Sequence, residues 1–195
     1  MISNTHLLIS KILYKYLSNE MNFKLDRLAF TYGNIKPDFI NEDIKCLHTL
    51  DGSLYCVNKY SEKLMRENIS IRKFSIYLGI ICHYVCDYFC IFHREGNEKK
   101  GIFGHLFYEL ILHIRFLILL LRGKLILNNC EMIGNSVEVI ILKLQDKYNS
   151  EEKCLTRDIN NALLAAVQIS KLVVYSSQLY FEKKETNMLE EYLLS

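Results

Sequence analysis

Apolar residues recur along most of this chain at the three- and four-residue intervals of an α-helix. Near the start, Leu7, Leu8, Ile12 and Tyr16 keep this spacing, and Asn4 is placed to cap a helix that runs to about residue 18. No stretch sustains the alternation of apolar and polar residues that is typical of a β-strand. The pattern therefore predicts an all-α fold of about six or seven helices.

The ends of the later helices are predicted from capping residues and glycines. Ser70 is placed to cap a long central helix that ends near His93, and Gly101 or Gly104 opens a second long helix that Gly123 ends. Shorter helices are expected over residues 23–30 and 53–68, and two packing helices over 132–148 and 154–184. Between these helices we expect a turn over 32–38, an irregular segment over 39–52 and an exposed charged loop over 94–100.

The composition is that of one folded domain covering residues 1–195. Half of the residues are hydrophobic and only one is proline, so disorder is not expected. The formal net charge of +2, with lysines and glutamates scattered along the chain, gives no electrostatic argument for binding nucleic acid or an acidic membrane. Nothing in these patterns sets an oligomeric state.

The cysteines and the first residues bear on location. None of the seven cysteines forms a C-x2-C pair, and Cys82, Cys86 and Cys90 follow one face of the central helix. Apolar packing is the main interpretation of these three thiols, which points to a reducing compartment, and a redox role or a role in supporting the neighbouring site is the minor one. The N-terminal segment lacks the basic, apolar and cleavage regions of a signal peptide, so we expect a cytoplasmic protein.

The longest apolar run covers Leu110–Leu121 and contains His113 and Arg115. Twelve residues interrupted by two polar side chains are too short and too polar to span a bilayer. We therefore expect a buried core helix here, with a membrane-inserting helix as the alternative, and no transmembrane segment.

Four side chains of the kind that bind metals lie in two pairs on the two long helices. His83 and Asp87 are four residues apart, as are His105 and Glu109, so each pair projects from one helix face, and His93 lies between the pairs. An imidazole and a carboxylate in a helix that is apolar on all sides are costly to bury unless they are paired or bind a metal. Nitrogen and oxygen ligands suit zinc, although manganese or iron also fit. A histidine satisfied by ordinary core contacts is the alternative.

These motifs resemble those of a known family. The run Leu78-Gly79-x3-His83-Tyr84-x2-Asp87-x5-His93 is similar to the core motif of the zinc-dependent phospholipase C family, to which certain single-strand nucleases are structurally related. Gly104-His105-x2-Tyr108-Glu109 resembles the next family motif, and earlier segments match in the same order: Thr5-His6, Gly33-x3-Pro37-Asp38, and His48 followed by Asp51. The resemblance implies an all-helical fold with up to three zinc ions, all ligands lying in residues 1–113 and residues 124–195 serving for packing.

The resemblance also implies how the ligands divide among the zinc ions. One zinc would be held by Asp38, His48, His83 and Asp87, a second, with positions open for water, by His93, His105 and Glu109, and a third by His6 and a bridging Asp87. Asp38 would in addition act as the base that accepts a proton from the attacking water. Two neighbours of these ligands are less specific: His113 matches no family ligand and is expected to be buried or supporting, and Asp51 either orients His48 or is a turn residue.

Departures from the family narrow these implications. The secreted enzymes begin with a tryptophan that completes the third zinc site, whereas this chain begins Met1-Ile2. We therefore expect two bound zinc ions and a third site that is weak or empty. Phe39 and Lys45 stand where the phosphatidylcholine enzymes carry a tyrosine and a second aromatic residue, so a choline-binding aromatic box is not predicted.

Three functions follow as hypotheses. The first is a cytoplasmic zinc phosphodiesterase resembling phospholipase C, with a phospholipid as one candidate for its phosphodiester substrate. The second is a nuclease-like enzyme acting on single strands, which the small positive charge and the lack of an aromatic and basic stripe count against. The third is a non-catalytic helical protein that zinc stabilises, which a zinc ion with an open position would count against.

Overall fold

The computed structural model describes residues 1–39, 46–93, 101–125, 127, 131–182 and 184. Across these residues the secondary structure is helical without any strand, which confirms the all-α prediction. Among the described residues seven α-helices follow one another, with a 3-10 turn over Ile91–His93 between the fourth and the fifth, and residues 178–182 are helical as well. The helices are α1 (Ser3–Glu20), α2 (Arg27–Phe39), α3 (Leu50–Arg66), α4 (Ile71–Asp87), α5 (Gly101–Leu121), α6 (Val137–Ser150) and α7 (Leu155–Tyr175).

Helix α4 lies at the centre of the fold, and α2, α3 and α7 pack around it. Every residue from Leu78 to Cys90 is buried, as the apolar character of this stretch predicts. Ser70 caps the helix as predicted, since its hydroxyl accepts a hydrogen bond from the Lys73 amide. A helix enclosed on all sides holds its side chains in fixed positions, so the polar groups that α4 carries are rigidly placed.

Two glycines allow α2 and α4 to approach each other closely. A Cβ atom on Gly79 would lie 2.5 Å from the carbonyl oxygen of Phe30, and one on Gly33 would lie 2.1 Å from the carbonyl oxygen of Ile76. Neither position has room for a side chain. The close contact of the two helices therefore requires glycine, which has only a hydrogen in place of Cβ, at both positions. It brings the C-terminal half of α2 against the polar end of α4.

The predicted turn over 32–38 and the predicted helix over 23–30 are therefore wrong. Gly33 and Pro37 both lie inside α2, which begins at Arg27 and ends at Phe39. Pro37 is tolerated because it falls in the last turn, where it removes one hydrogen bond without interrupting a longer helix. Local turn preference yields here to the packing of α2 on α4, which glycine at position 33 permits.

Other helix ends differ from prediction in smaller ways. Ile2 is the N-cap of α1 and makes no side-chain capping bond, so the predicted cap at Asn4 is wrong. Thr49 caps α3, which begins three residues earlier than expected. Residues 40–45, part of the expected irregular segment, and the expected loop over 94–100 lie outside the described residues. Gly123 ends α5 as predicted, in a left-handed conformation with φ of 62° that favours glycine.

Helix α5 is more exposed than its sequence suggests. The prediction of a buried core helix over Leu110–Leu121 is wrong, because only Leu112, Phe116 and Leu119 of that run are buried. Among the described residues, one segment, Phe103–Leu121, is long and apolar enough to cross a membrane by length and composition, and 22% of its most apolar window is buried. Hydropathy alone could not show which apolar face would be covered, because both faces of this helix are apolar.

Candidate metal centre

The eight side chains singled out in the sequence lie together where the polar ends of α2 and α4 meet α1, α5 and the segments before α3 and after α4. Four of them form pairs on two helices: α4 carries His83 and Asp87, and α5 carries His105 and Glu109. The others come from separate elements, and only folding brings them close: His6 from α1, Asp38 from α2, His48 from the segment before α3, and His93 from the 3-10 turn.

The first group of donors surrounds the imidazole of His83. Its Nδ1 lies 2.8 Å from the carbonyl oxygen of Asn34, which can only accept, so Nδ1 carries the proton and Nε2 is left with a lone pair. That Nε2 atom lies 3.1 Å from His48 Nδ1, 3.4 Å from Asp87 Oδ2 and 3.7 Å from Asp38 Oδ1. His48 Nδ1 lies 2.8 Å from the same Asp87 oxygen. Four donor atoms from three parts of the chain thus converge: α2, the segment before α3, and α4.

The second group is formed by His93, His105 and Glu109. The Nε2 atoms of His93 and His105 each lie 3.0 Å from Glu109 Oε1, and they lie 3.4 Å from each other. The His105 ring also stacks on Phe92, with 5.4 Å between ring centroids and 8° between planes, which fixes its orientation. Three donor atoms therefore face one point at the edge of the site.

These spacings fit a metal ion. Two ligands that are each about 2.0–2.2 Å from a tetrahedral zinc ion lie roughly 3.3–3.6 Å apart, close to most of the donor separations in both groups. His6 provides a second observation, because it is fully buried and neither of its ring nitrogens has a hydrogen-bond partner in the described part of the chain. Its Nε2 lies 3.3 Å from Asp87 Oδ1. A buried imidazole without a partner is costly, and a metal ion is a partner that would satisfy it.

The protonation states of the site also suit metal binding. Burial lowers the pKa of His83 well below its usual range, so this imidazole is neutral. Burial would raise the pKa of Asp87, but the neighbouring Met1 α-ammonium and imidazoles hold it well below its usual range. The pKa of Glu109 is likewise lowered, to about 2, because hydrogen bonding with His93 and the Met1 α-ammonium outweigh burial. Neutral imidazoles and ionised carboxylates are the forms that bind metal.

A separate polar network fixes α5 against α6 and α7. Tyr108, one residue before Glu109, donates its hydroxyl proton to Asp158 Oδ2, and Tyr148 donates to Asp158 Oδ1 over 2.7 Å. Arg157 donates to the same Oδ1 atom over 2.9 Å. Asp158 is buried, and its carboxylate accepts from three side chains, so the network sets the position of α5 and with it His105 and Glu109.

Of the two neighbours of the predicted ligands, His113 contacts a residue beside the site, and Asp51 lies exposed. His113, one turn beyond Glu109, is partly buried, and its Nδ1 lies 3.0 Å from the Thr5 hydroxyl, next to His6 in sequence. This agrees with a supporting role. Asp51 lies exposed in the first turn of α3, and the Nδ1 of His48 contacts Asp87 instead.

Sequence reasoning missed two features of the site, the Met1 amine and a disulfide, and gave a third, the Cys90 thiol, only a minor supporting or redox role. The α-amino nitrogen of Met1 lies 2.6 Å from Asp87 Oδ1 and 3.0 Å from both His93 Nε2 and Glu109 Oε1, so it sits between the two donor groups. The thiol of Cys90 forms a group with His93 and Glu109 whose ligand atoms all lie within 4.8 Å of one another. Cys46 and Cys56 form a disulfide that joins the segment before His48 to α3.

No local pattern marks these features, because each depends on distant residues. Met1 could have been predicted to lie at the site, because the N-terminal tryptophan of the secreted family members completes their third zinc site. Cys82 and Cys86 are buried in packing positions, as predicted; the Cys82 thiol contacts Ser170 and the Cys86 thiol contacts the Ala162 carbonyl oxygen.

A cavity of about 420 Å³ opens beside the donor groups. Its polar wall is formed by Asp38, His48, His93, His105 and Glu109, and its other lining includes Leu47 and Phe92. The Ser3 hydroxyl donates to Asp38 Oδ2 over 2.7 Å and so holds this carboxylate at the cavity wall. The arrangement presents converging metal donors and a positioned carboxylate to a space large enough for a small polar group.

Comparisons with known proteins agree with this geometry. A family model described as zinc dependent phospholipase C matches residues 5–171 of the 195-residue chain. That range includes all eight predicted ligands and extends through most of α7. No curated protein and no solved structure matches the chain. The family match covers most of the chain, and the protein therefore belongs to the zinc-dependent phospholipase C family.

Proposed function

We propose that this protein is a zinc-dependent phosphodiester hydrolase that acts on phospholipids. The observation that carries the proposal is the convergence of two groups of donor atoms, around His83 and around Glu109, beside one open cavity. Two metal positions next to each other suit phosphodiesters, because two cations can neutralise both the attacking and the leaving oxygen. A purely structural zinc site would be closed by four protein ligands.

The residues divide by position into the following proposed zinc sites. Asp38, His48, His83 and Asp87 would hold one ion, and His93, His105 and Glu109 a second, which three protein ligands leave open toward the cavity. His6 and Asp87 would contribute to a third, weaker site, with the Met1 α-amine close by. When bound in such sites, zinc lowers the pKa of water to about 7 and offsets the charge that develops on phosphoryl oxygens.

A side chain of the protein, Asp38, is placed to accept the proton of the attacking water. Asp38 Oδ2 accepts from Ser3 and is thereby oriented, which leaves Oδ1, 3.7 Å from His83 Nε2, as the oxygen that faces the donor group. We propose that the Asp38 carboxylate, besides binding metal, takes the proton from the attacking water. A base held within one hydrogen bond of its proton contributes about 10²–10⁴-fold to the rate.

The cavity wall favours a lipid over a nucleic acid. Leu47 and Phe92 line it, and among the lining residues that the structure describes there is no lysine or arginine. Single-strand binding requires basic side chains along the phosphate backbone and aromatic platforms for successive bases. A phosphodiester at the edge of a lipid needs only the metal-facing wall and an apolar rim.

The test begins with metal content and proceeds to substrates. Protein purified without chelator should contain at least two zinc ions per chain by elemental analysis, and less than one transition metal per chain would reject the site. The zinc-loaded protein is then assayed on bis-p-nitrophenyl phosphate, short-chain phosphatidyl lipids and single-stranded DNA. Hydrolysis of the lipids but not of DNA is the expected result. Hydrolysis of DNA alone would identify a nuclease, and inactivity on all three would favour the non-catalytic alternative.

A further inference from the structure

One helix face is apolar and is left exposed over nearly its whole length by the residues that the structure describes. Nine side chains of α5 have relative exposures from 36% to 89%. They follow helical spacing along one face and are called the α5 stripe: Phe103, Leu106, Phe107, Leu110, Ile111, Ile114, Leu117, Leu120 and Leu121. Together they present on the order of 1,000 Å² of apolar surface, above the roughly 300–600 Å² of the largest patch on a typical monomer.

From these observations we propose that the α5 stripe docks this protein on an anionic lipid surface, with the helix lying in the plane of the interface. The inference rests on the proposed function, because it supplies the surface on which a phospholipid would be presented. The opposite face of α5 packs into the fold through Leu112, Phe116 and Leu119, and Tyr108 is tied to Asp158. The helix is thus held against the protein, which suits lying on a membrane rather than crossing it.

The charges around the stripe match an anionic surface. The single carboxylate of α5 is Glu109, and it faces the metal centre rather than the stripe. At the C-terminal end of the helix, Arg122 and Lys124 are exposed on either side of Gly123. Lys15 of α1 lines a shallow groove with Leu120 at the same end, but Glu20 lines that groove too, so the positive excess there is that of Arg122 and Lys124. Each basic residue near an anionic bilayer strengthens binding.

The stripe and the cavity meet at the N-terminal end of α5. Phe103 and Phe107, the aromatic residues of the stripe, each lie two positions from His105, so they project from the helix face opposite to this imidazole, which lines the cavity and is partly exposed. Leu47, an exposed residue, and Phe92, which stacks on His105, continue the apolar character around the opening. A lipid surface seated on the stripe would therefore lie at the end of α5 that carries the metal centre, across the helix from His105.

A second copy of the chain is the competing occupant. Two copies joined through their stripes would find no carboxylate on the facing helix to pair with Arg122 and Lys124, because Glu109 points inward. This argument favours lipid.

The experiment measures vesicle binding by flotation and does not depend on turnover. Zinc-loaded full-length protein is mixed with phosphatidylglycerol–phosphatidylcholine vesicles or with pure phosphatidylcholine vesicles. The variant is the triple change Phe103→Ser, Phe107→Ser and Leu110→Ser, and the matched control is Leu28→Ser, Tyr55→Ser and Leu142→Ser, which removes exposed apolar groups from α2, α3 and α6. We expect at least a tenfold lower partition coefficient for the stripe variant and less than a twofold change for the control.

A second variant tests the charge argument. Arg122→Gln with Lys124→Gln should abolish the preference for phosphatidylglycerol and reduce the loss of binding at high salt, while the stripe still binds weakly. Lack of binding by the unmodified protein, or equal binding by the stripe variant, would overturn the proposal. The proposal would also be overturned if sedimentation velocity showed a dimer of the unmodified protein and a monomer of the stripe variant. That result would identify a second copy of the chain as the occupant of the stripe.

The same samples separate this proposal from the proposed function. Bis-p-nitrophenyl phosphate is soluble, so its hydrolysis reports on the metal centre without the membrane. Stripe-dependent vesicle binding without any hydrolysis would support the docking surface and reject the proposed hydrolase function. Hydrolysis without vesicle binding would support the hydrolase function and reject the docking surface.

Discussion

Substitution of Gly79 by alanine should both destabilise the protein and weaken its zinc binding. The new Cβ would meet the Phe30 carbonyl oxygen at 2.5 Å, the Asn34 nitrogen at 2.8 Å and the Gly33 carbonyl carbon at 2.9 Å. All three are backbone atoms within α2, so no side chain can rotate away. Normal contact distances require α2 and α4 to separate by roughly 0.5–1 Å.

The expected magnitude combines two opposing terms. Alanine is a better helix former than glycine by about 1 kcal/mol, but forcing an extra carbon into a tight contact costs about 1–3 kcal/mol. Separation of the helices also lengthens the 2.8 Å hydrogen bond from His83 Nδ1 to the Asn34 carbonyl oxygen, which costs about 1 kcal/mol more. The net loss of about 1–3 kcal/mol lowers Tm by roughly 2–10 °C for a protein of this size.

The matched control is another glycine within a helix. A Cβ on Gly104 in α5 would meet nothing within 4 Å, so Gly104→Ala should raise the stability by up to about 1 kcal/mol. The assays are thermal unfolding by circular dichroism and competition for zinc with a chelating dye. The first should separate the two variants, and the second should show weaker zinc binding in Gly79→Ala alone, because α2 carries Asp38. Equal Tm and equal zinc affinity in the two variants would refute the packing argument.

Three further outcomes are expected. Glu109→Ala should lose zinc and activity together, and activity that survives this change would show that the site is wrongly assigned. Asp38→Asn should lower turnover by about 10²–10⁴-fold but lower the metal content less. Asp158→Asn should lower the free energy of unfolding by about 2–4 kcal/mol, because Arg157 loses its buried carboxylate partner, and chemical denaturation would measure it; an unchanged midpoint would contradict this. Removal of zinc by a chelator should lower Tm, and Tm should rise with the logarithm of the free zinc concentration, since metal bound only by the folded state stabilises it. A Tm indifferent to zinc would mean that no metal is bound.

The prediction of the helical class and of the family succeeded because both rest on short-range signals. The spacing of His83 with Asp87 and of His105 with Glu109 is set by the helix repeat, so each pair had to share a face wherever the helices lay. The family motif lies mainly on those two helices, and the family match confirms the resemblance. The burial of α4 could likewise be predicted, because a helix without a polar face must be enclosed.

Predictions failed where the outcome depended on a partner helix. Gly33 and Pro37 indicate a turn by local preference, yet they lie within α2 because Gly33 allows close contact with Ile76 of α4. The same limitation applies to α5: its apolar residues do not themselves show which will be covered, so a core helix was expected where the structure has the exposed stripe.

The sequence by itself determined that this chain would be helical and which side chains could bind a metal, because residue chemistry and the helix repeat are local properties. Only the tertiary structure decided that His6, Asp38, His48 and His93 lie beside the two helix pairs, and that the Met1 α-amine sits between them. The physical reason is that these contacts join residues up to 92 positions apart. Their geometry depends on how α1, α2 and α5 pack around α4, and no pattern within a single segment encodes that packing.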